Sequence, residues 1–148
     1  MKAFKKLLGE SNVTHVQTVS GLTEYKDRAD FYLKIDDGQE WQRWDKTLHP
    51  SGYYLIDTHL DYAWRKKLTD EAGFDYLFFA QKQGLEKSWP TENKFWVPLA
   101  CDVETHYVGP KEKKYDTCFI GYFHSAHAAE RIEHVDALFK HVPNFFFG

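Results

Sequence analysis

Four polar clusters carry the residue types able to do chemistry, and each follows a short apolar run. Asp57-Thr58-His59 sets a carboxylate and an imidazole two positions apart. Such a pair can act as a general base with a polar neighbour, since an acceptor hydroxyl is a poor nucleophile until its proton is taken. The same residues also suit helix capping and a structural histidine. Asp36-Asp37-Gly38 offers paired carboxylates for acceptor contact or a metal, and it reads equally as a solvated Asp-Gly turn. Gln81 and Lys82 can touch a ligand or open an exposed helix. Gly121-Tyr122-Phe123-His124-Ser125 runs into a helix. Glycine permits close backbone approach there, the helix N-terminus offers N–H groups to a phosphate, and His124 can add a charge-assisted contact. Only one glycine is present, short of a G-x-G-x-x-G fingerprint. Arg131 stands about two turns along that helix, far from the glycine.

Other chemistries find no support. There is no P-loop, no G-x-S-x-G elbow and no C-x-x-C. Of the eight histidines, His127, His134 and His141 share one helix face, but no cysteine or carboxylate is spaced to complete a zinc site. They read as a solvated stripe, and neither a metal nor a cofactor is expected. Asp102, Glu104 and His106 alternate as on an extended segment and suit hydrogen bonding between domains. Cys101 lacks a cationic neighbour to lower its thiol pKa. With Cys118 it reads as one of two buried, free thiols, which favours a reducing, cytoplasmic compartment. A net charge of −3 and a pI near 6.2 give no electrostatic case for nucleic acid. No apolar run reaches the roughly 20 residues of a membrane span. The opening MKAFKKLLGE reads as an amphipathic helix rather than a signal peptide.

The elements that must position these clusters follow from periodicity. Ala3, Phe4, Leu7 and Leu8 have helical spacing, with Gly9 as a stop. Alternation predicts a strand over Val13–Val19. Further strands are expected at Phe31–Ile35, Tyr53–Ile56, Phe74–Ala80, Phe95–Ala100, Thr117–Ile120 and 144–148. Glu40–Pro50, with Trp41, Trp44 and Leu48, reads as an irregular turn or ordered loop. A helix is expected over Asp61–Ala72, capped by Asp61 and stopped by Gly73. Gln81–Trp89 reads as a short helix or turn, and Ser125–His141 as a long helix. Strands that look apolar on both faces, alternating with helices, predict a parallel sheet with crossover helices. Ligands then bind beyond the C-terminal strand ends, where all four clusters lie.

The runs FYLKIDDG (31–38), GYYLIDTHLDYAWRKK (52–67), FDYLFFAQKQGLEK (74–87), FWVPLACDVETH (95–106) and KKYDTCFIG (113–121) come in the order found in CgeB-like glycosyltransferases. The chain resembles the middle part of such an enzyme over residues 30–148. The resemblance implies a truncated GT-B architecture: a Rossmann-like, acceptor-side unit over 1–107, a linker over 108–114, and the first β-α-β of a second, donor-side unit over 115–148. It implies transfer of a sugar from a nucleotide-sugar donor to an acceptor hydroxyl, without a metal. Asp57 and His59 then fall near the interdomain cleft, with Asp36, Asp37 and Gln81 on the acceptor side. Gly121, His124 and Ser125 fall on the donor phosphates. Family members are more than twice as long, and most donor contacts lie in the part this chain lacks. The chain is therefore expected to be inactive or nearly so alone. The alternatives are a flavodoxin-like nucleotide binder and a non-catalytic module that self-associates through an open sheet edge, with Phe145-Phe146-Phe147 as the sticky strand.

Overall fold

The computed structural model describes residues 2–17, 19–36, 44–104, 106, 109, 112, 115, 117–120, 128–142 and 145–147. The chain divides into two units, Met1–Asp102 and Val103–Gly148. Unit 1 begins with helix α1 (Lys2–Leu8) and a short α2 (Val19–Leu22). Strand β1 (Tyr32–Ile35), strand β2 (Ser51–Leu55), helix α3 (Tyr62–Ala72), strand β3 (Tyr76–Phe79) and strand β4 (Lys94–Trp96) follow. The four strands form one parallel sheet in the order β1-β2-β3-β4. The architecture is thus α/β and Rossmann-like, as the alternation of apolar runs and helical stretches predicts.

Helix α3 shows how local sequence sets an element. Asp61 Oδ1 accepts the Trp64 N–H at 3.2 Å, which satisfies a first-turn donor. Gly73 closes the helix in the left-handed region at φ 70°, and its N–H bonds to Thr69 O at 3.1 Å. The helix turns Arg65, Thr69 and Ala72 inward. The core forms where Tyr32, Tyr53, Leu55, Leu77 and Phe79 of the sheet meet Trp44, Leu48, Ala72, Phe74 and Trp89. Tilted ring pairs knit it: Trp44–Phe74 at 4.9 Å, Tyr53–Phe74 at 5.2 Å and Phe79–Trp89 at 5.1 Å between centroids. The loop after β1 thus supplies core through Trp44 and Leu48.

The strands are not buried on both faces. Register places Leu33, Ile35, Gly52, Tyr54, Tyr76, Phe78 and Phe95 on the side opposite the core. Ile35 and Phe95 there are 43% and 47% exposed. The cause is strand order. A right-handed crossover that always steps in the same direction always lands on the same face. A doubly wound sheet reverses direction and covers both faces; the order here never reverses. Between β3 and β4 the connection is only a 3₁₀ turn, Lys82–Glu86. Its Gly84 sits so close to the Phe79 ring that a Cβ there would overlap the ring.

Three further expectations are corrected. Residues 13–17 form no strand, and Val19 begins α2 instead. Alternation alone does not supply a ladder partner, and none of the described strands pairs with this segment. Strand β4 ends at Trp96 rather than Ala100. Val97 N–H bonds to Phe79 O at 2.9 Å, and Pro98 next has no N–H to give. Cys101 and Cys118 are free, but both are exposed rather than buried. Cys101 lies past the shortened β4, outside the sheet.

Unit 2 contains strand β5 (Thr117–Phe119), helix α4 (Ala128–His141) and strand β6 (Phe145–Phe147). β5 and β6 pair in parallel, with Thr117 opposite Phe145 and Phe119 opposite Phe147. This is the expected β-α-β. Among the described α4 residues, Val135 is buried while Ile132 and Phe139 stay exposed. Among the described residues, no helix is long and apolar enough to cross a membrane.

Candidate functional site

The C-terminal ends of β1, β2 and β3 bring together three of the predicted site residues. Asp36 ends β1, Asp57 follows β2 and Gln81 follows β3. The parallel ladder aligns these ends because Ile35 pairs with Tyr54 and Leu55 with Phe79.

Asp36 is not displayed to solvent. Arg65 Nε donates to its Oδ2 at 2.8 Å, and the side chains are 2% and 8% exposed respectively. Ile56 N–H donates to the same oxygen at 3.3 Å. Asp36 therefore ties β1, β2 and α3 together beneath the edge, which corrects its reading as an acceptor contact. Arg65 went unremarked in the sequence, where it sits in a basic run with Lys66 and Lys67. The helical spacing of Arg65, Thr69 and Ala72 was the signal that it faces inward. Lys34 lies two residues before Asp36 on the same face, buried, with Nζ 4.9 Å from the Tyr53 ring centroid.

Asp57 and Gln81 form the exposed-side pair. Asp57 N–H donates to Gln81 Oε1 at 3.1 Å, and Gln81 Nε2 donates to Asp57 Oδ1 at 3.1 Å. Both bonds are partly buried. Asp57 has φ 55°, a left-handed conformation that aspartate tolerates better than most residues. This turns the chain out of β2, and Leu60 N–H closes the turn on Asp57 O at 2.9 Å. Among the described residues no hydrogen bond reaches Asp57 Oδ2. His59 lies in this turn with its side chain exposed. Thr58 is buried and caps nothing, because the cap of α3 is Asp61.

A carboxylate and an amide paired at one strand-end rim, with an exposed histidine two residues beyond the carboxylate, can donate to and accept from a polyhydroxylated ligand. Comparison with family models, with curated proteins and with solved structures yields no match. The chemistry of the rim therefore rests on its own geometry. Among the described residues, no group of three or more His, Cys, Asp or Glu is placed to hold a metal ion.

Asp37, Gly121, His124 and Ser125 lie outside the described residues. In unit 2 the part of α4 that follows them is described. Arg131 and His134 line an open groove of about 300 Å³ with Phe119, Glu130, Val135 and Leu138. Phe119 is the last residue of β5, so Arg131 stands closer to that strand end than its sequence distance suggests. His134 Nδ1 is 2.8 Å from Glu130 O.

The opposite edge of the sheet in unit 1 carries a cluster that the sequence reading passed over. Asp75 Oδ2 contacts His49 Nδ1 at 2.8 Å, Ser51 N–H at 2.7 Å and Ser51 Oγ at 3.3 Å. The residue types suggest a catalytic triad, but the connectivity is wrong. The hydroxyl bonds to the carboxylate and not to the imidazole, so no base is set to activate it. The cluster is a staple between the starts of β2 and β3.

This staple is pH-dependent. The Asp75 hydrogen bond raises the His49 pKa above its ordinary 6.5, against a smaller opposing effect of burial. Burial alone would raise Asp75, but the bonds from His49 and Ser51 outweigh it and hold its pKa below 3.8. The histidine contribution is complete below pH 6.5 and fades as pH rises through the raised value. The aspartate contribution is present above pH 3.8 and fades as pH falls through the lowered value. The staple is therefore strongest between these two ordinary values. An NMR titration of His49 is expected to show a midpoint above 6.5 that drops on Asp75→Asn. An unchanged midpoint in that variant would sever the link.

Proposed function

We propose that the chain is a carbohydrate-binding α/β module of the glycosyltransferase kind, carrying the acceptor side in unit 1 and the start of a donor side in unit 2. The observation that carries the reading is the reciprocal Asp57–Gln81 pair beside His59 at the C-terminal edge of a parallel sheet. In open α/β sheets ligands bind at this edge. The resemblance to CgeB-like glycosyltransferases supports sugar nucleotides as the ligand class. Asp57 Oδ2 would accept from an acceptor hydroxyl, with the His59 ring as the adjacent proton carrier. The groove lined by Arg131 and His134, following Gly121, His124 and Ser125 in the chain, would be the donor-side candidate for a diphosphate.

Binding without efficient transfer is the expected behaviour of this chain alone. The buried guanidinium of Arg65 is committed to Asp36 and is not available to stabilise a leaving diphosphate. Calorimetry and NMR with a panel of sugars, nucleotides and nucleotide sugars test the reading. Shifts on sugar binding are expected at Asp57, His59 and Gln81. Asp57→Asn keeps the tolerance of positive φ but removes the charge, and Gln81→Ala removes both reciprocal bonds. Each should weaken binding about tenfold, the worth of one or two hydrogen bonds. No binding across the panel would sink the proposal. Robust transfer by the purified chain, reduced by His59→Ala, would overturn its inactivity.

A further inference from the structure

Strand β4 ends on an exposed indole at the same sheet edge as the Asp57–Gln81 pair. Trp96 is 50% exposed although it pairs with Phe79, which is fully buried. The difference is position: among the described residues β4 is an edge strand, with a neighbour on one side only. The ring is nevertheless held. Trp96 Nε1 donates to Ala80 O at 3.3 Å, the carbonyl of the peptide that leads into Gln81. Its backbone is fixed as well, because Val97 N–H bonds to Phe79 O and Tyr54 Oη donates to Val97 O, both at 2.9 Å. Lys82 Nζ stands 6.0 Å from the ring centroid, at the outer reach of a cation–π contact. It flanks the indole while half of the residue's surface stays open to solvent.

A single exposed tryptophan is ordinary on a protein surface. One fixed by its own N–H at the C-terminal edge of a parallel sheet, where ligands bind in open α/β folds, is a pre-organised platform. Ligand sites combine aromatic surface with a few placed polar groups, and the two parts meet here. Strand β3 lies between β2 and β4, so Asp57 and Trp96 stand at strand ends on either side of Gln81. Those strand ends are roughly 10 Å apart, two inter-strand spacings, a gap that one sugar ring with its hydroxyls bridges. We infer that Trp96 is the stacking residue of this rim and that its ligand is a neutral hexopyranose with an apolar ring face, of the glucose kind. The inference rests on the carbohydrate reading of the Asp57–Gln81 pair and names the ring it takes. Equatorial hydroxyls point outward from a pyranose and leave axial C–H groups on its faces. Those C–H groups carry partial positive charge and pack on the negative face of the indole. The hydroxyls at the ring edge then reach the Asp57 carboxylate and the Gln81 amide as donors and acceptors. A nucleobase also stacks on indole. As a nucleotide it brings few donors to an acceptor-only carboxylate, together with a phosphate that the carboxylate repels.

NMR titration of the full chain with methyl β-glucoside, and in parallel with uridine monophosphate, tests this. The indole N–H resonance of Trp96, assigned by its loss in Trp96→Phe, is expected to shift with the glucoside, together with the amides of Asp57 and Gln81. Trp96→Leu keeps an apolar side chain but no π face, and it should weaken glucoside binding about tenfold. Trp96→Phe keeps a π face and loses the indole bond to Ala80 O, so it should retain most of the affinity. Both variants should keep the circular dichroism of the wild type, since the position is an exposed strand end. A merely structural tryptophan would not separate the leucine and phenylalanine variants. Glucoside binding that shifts Asp57 and Gln81 but is equal in wild type and Trp96→Leu overturns the stacking role and leaves the carbohydrate reading standing. A Trp96 shift with uridine monophosphate and none with the glucoside overturns it in favour of a nucleotide site. No glucoside binding at all also overturns it, whereas the carbohydrate reading falls only if the wider sugar panel fails too.

Discussion

An Arg65→Met chain should lose about 3–5 kcal/mol of stability, enough to unfold much of unit 1 at 25 °C. The loss comes from what remains. The Asp36 carboxylate is 2% exposed and lies 2.8 Å from the Arg65 guanidinium. Removing the cation takes from a buried carboxylate the guanidinium that offsets much of its desolvation. The Ile56 N–H stays at 3.3 Å, but a neutral donor does not replace the guanidinium. Replacing both partners at once, as Asp36→Leu with Arg65→Met, should recover most of the loss, because an apolar pair of similar volume often matches a buried ion pair. Recovery should be incomplete by about 1 kcal/mol, the cost of stranding Ile56 N–H. Urea unfolding of the wild type, the single and the double variant measures all three. A single variant within 0.5 kcal/mol of wild type would mean that the pair is solvated in solution.

Phe79→Ala is expected to cost about 3–5 kcal/mol by a different mechanism. The ring is fully buried, 5.1 Å from Trp89, and Gly84 lies against its edge. Removing it opens a cavity that its neighbours cannot fill. Trp89 is held by its Nε1 donating to Gly84 O at 2.7 Å, and Gly84 sits in a short 3₁₀ turn that resists collapse. Phe79→Leu should cost about 1 kcal/mol, since it keeps most of the volume. The indole N–H resonance of Trp89 in NMR spectra reports the site, and it should shift in the alanine variant before global unfolding. Equal stability of the alanine and leucine variants would show that the core is not closely packed there.

Much of the scaffold was legible in the order of residues. Asp61 and Gly73 bracket α3 because a carboxylate caps the first turn and only glycine enters the left-handed region without strain. The short apolar runs around Tyr53 and Phe78 announced buried, parallel strands, and Asp57 and Gln81 stood where such strands end. These signals are local, and local geometry reads them. What tertiary structure decided was each residue's partner and the face that stays open. Asp36 looked like a ligand carboxylate until the 29-residue return of Arg65 consumed it. His49, Ser51 and Asp75 form one staple only because parallel pairing sets the starts of β2 and β3 side by side. The aromatic runs looked buried on both sides, since composition cannot report strand order. An order that never reverses favours crossovers on one face, and Phe31 and Phe95 on the other stay exposed. Side-chain type and spacing are properties of the chain, whereas burial, pairing and exposure belong to the way distant segments meet.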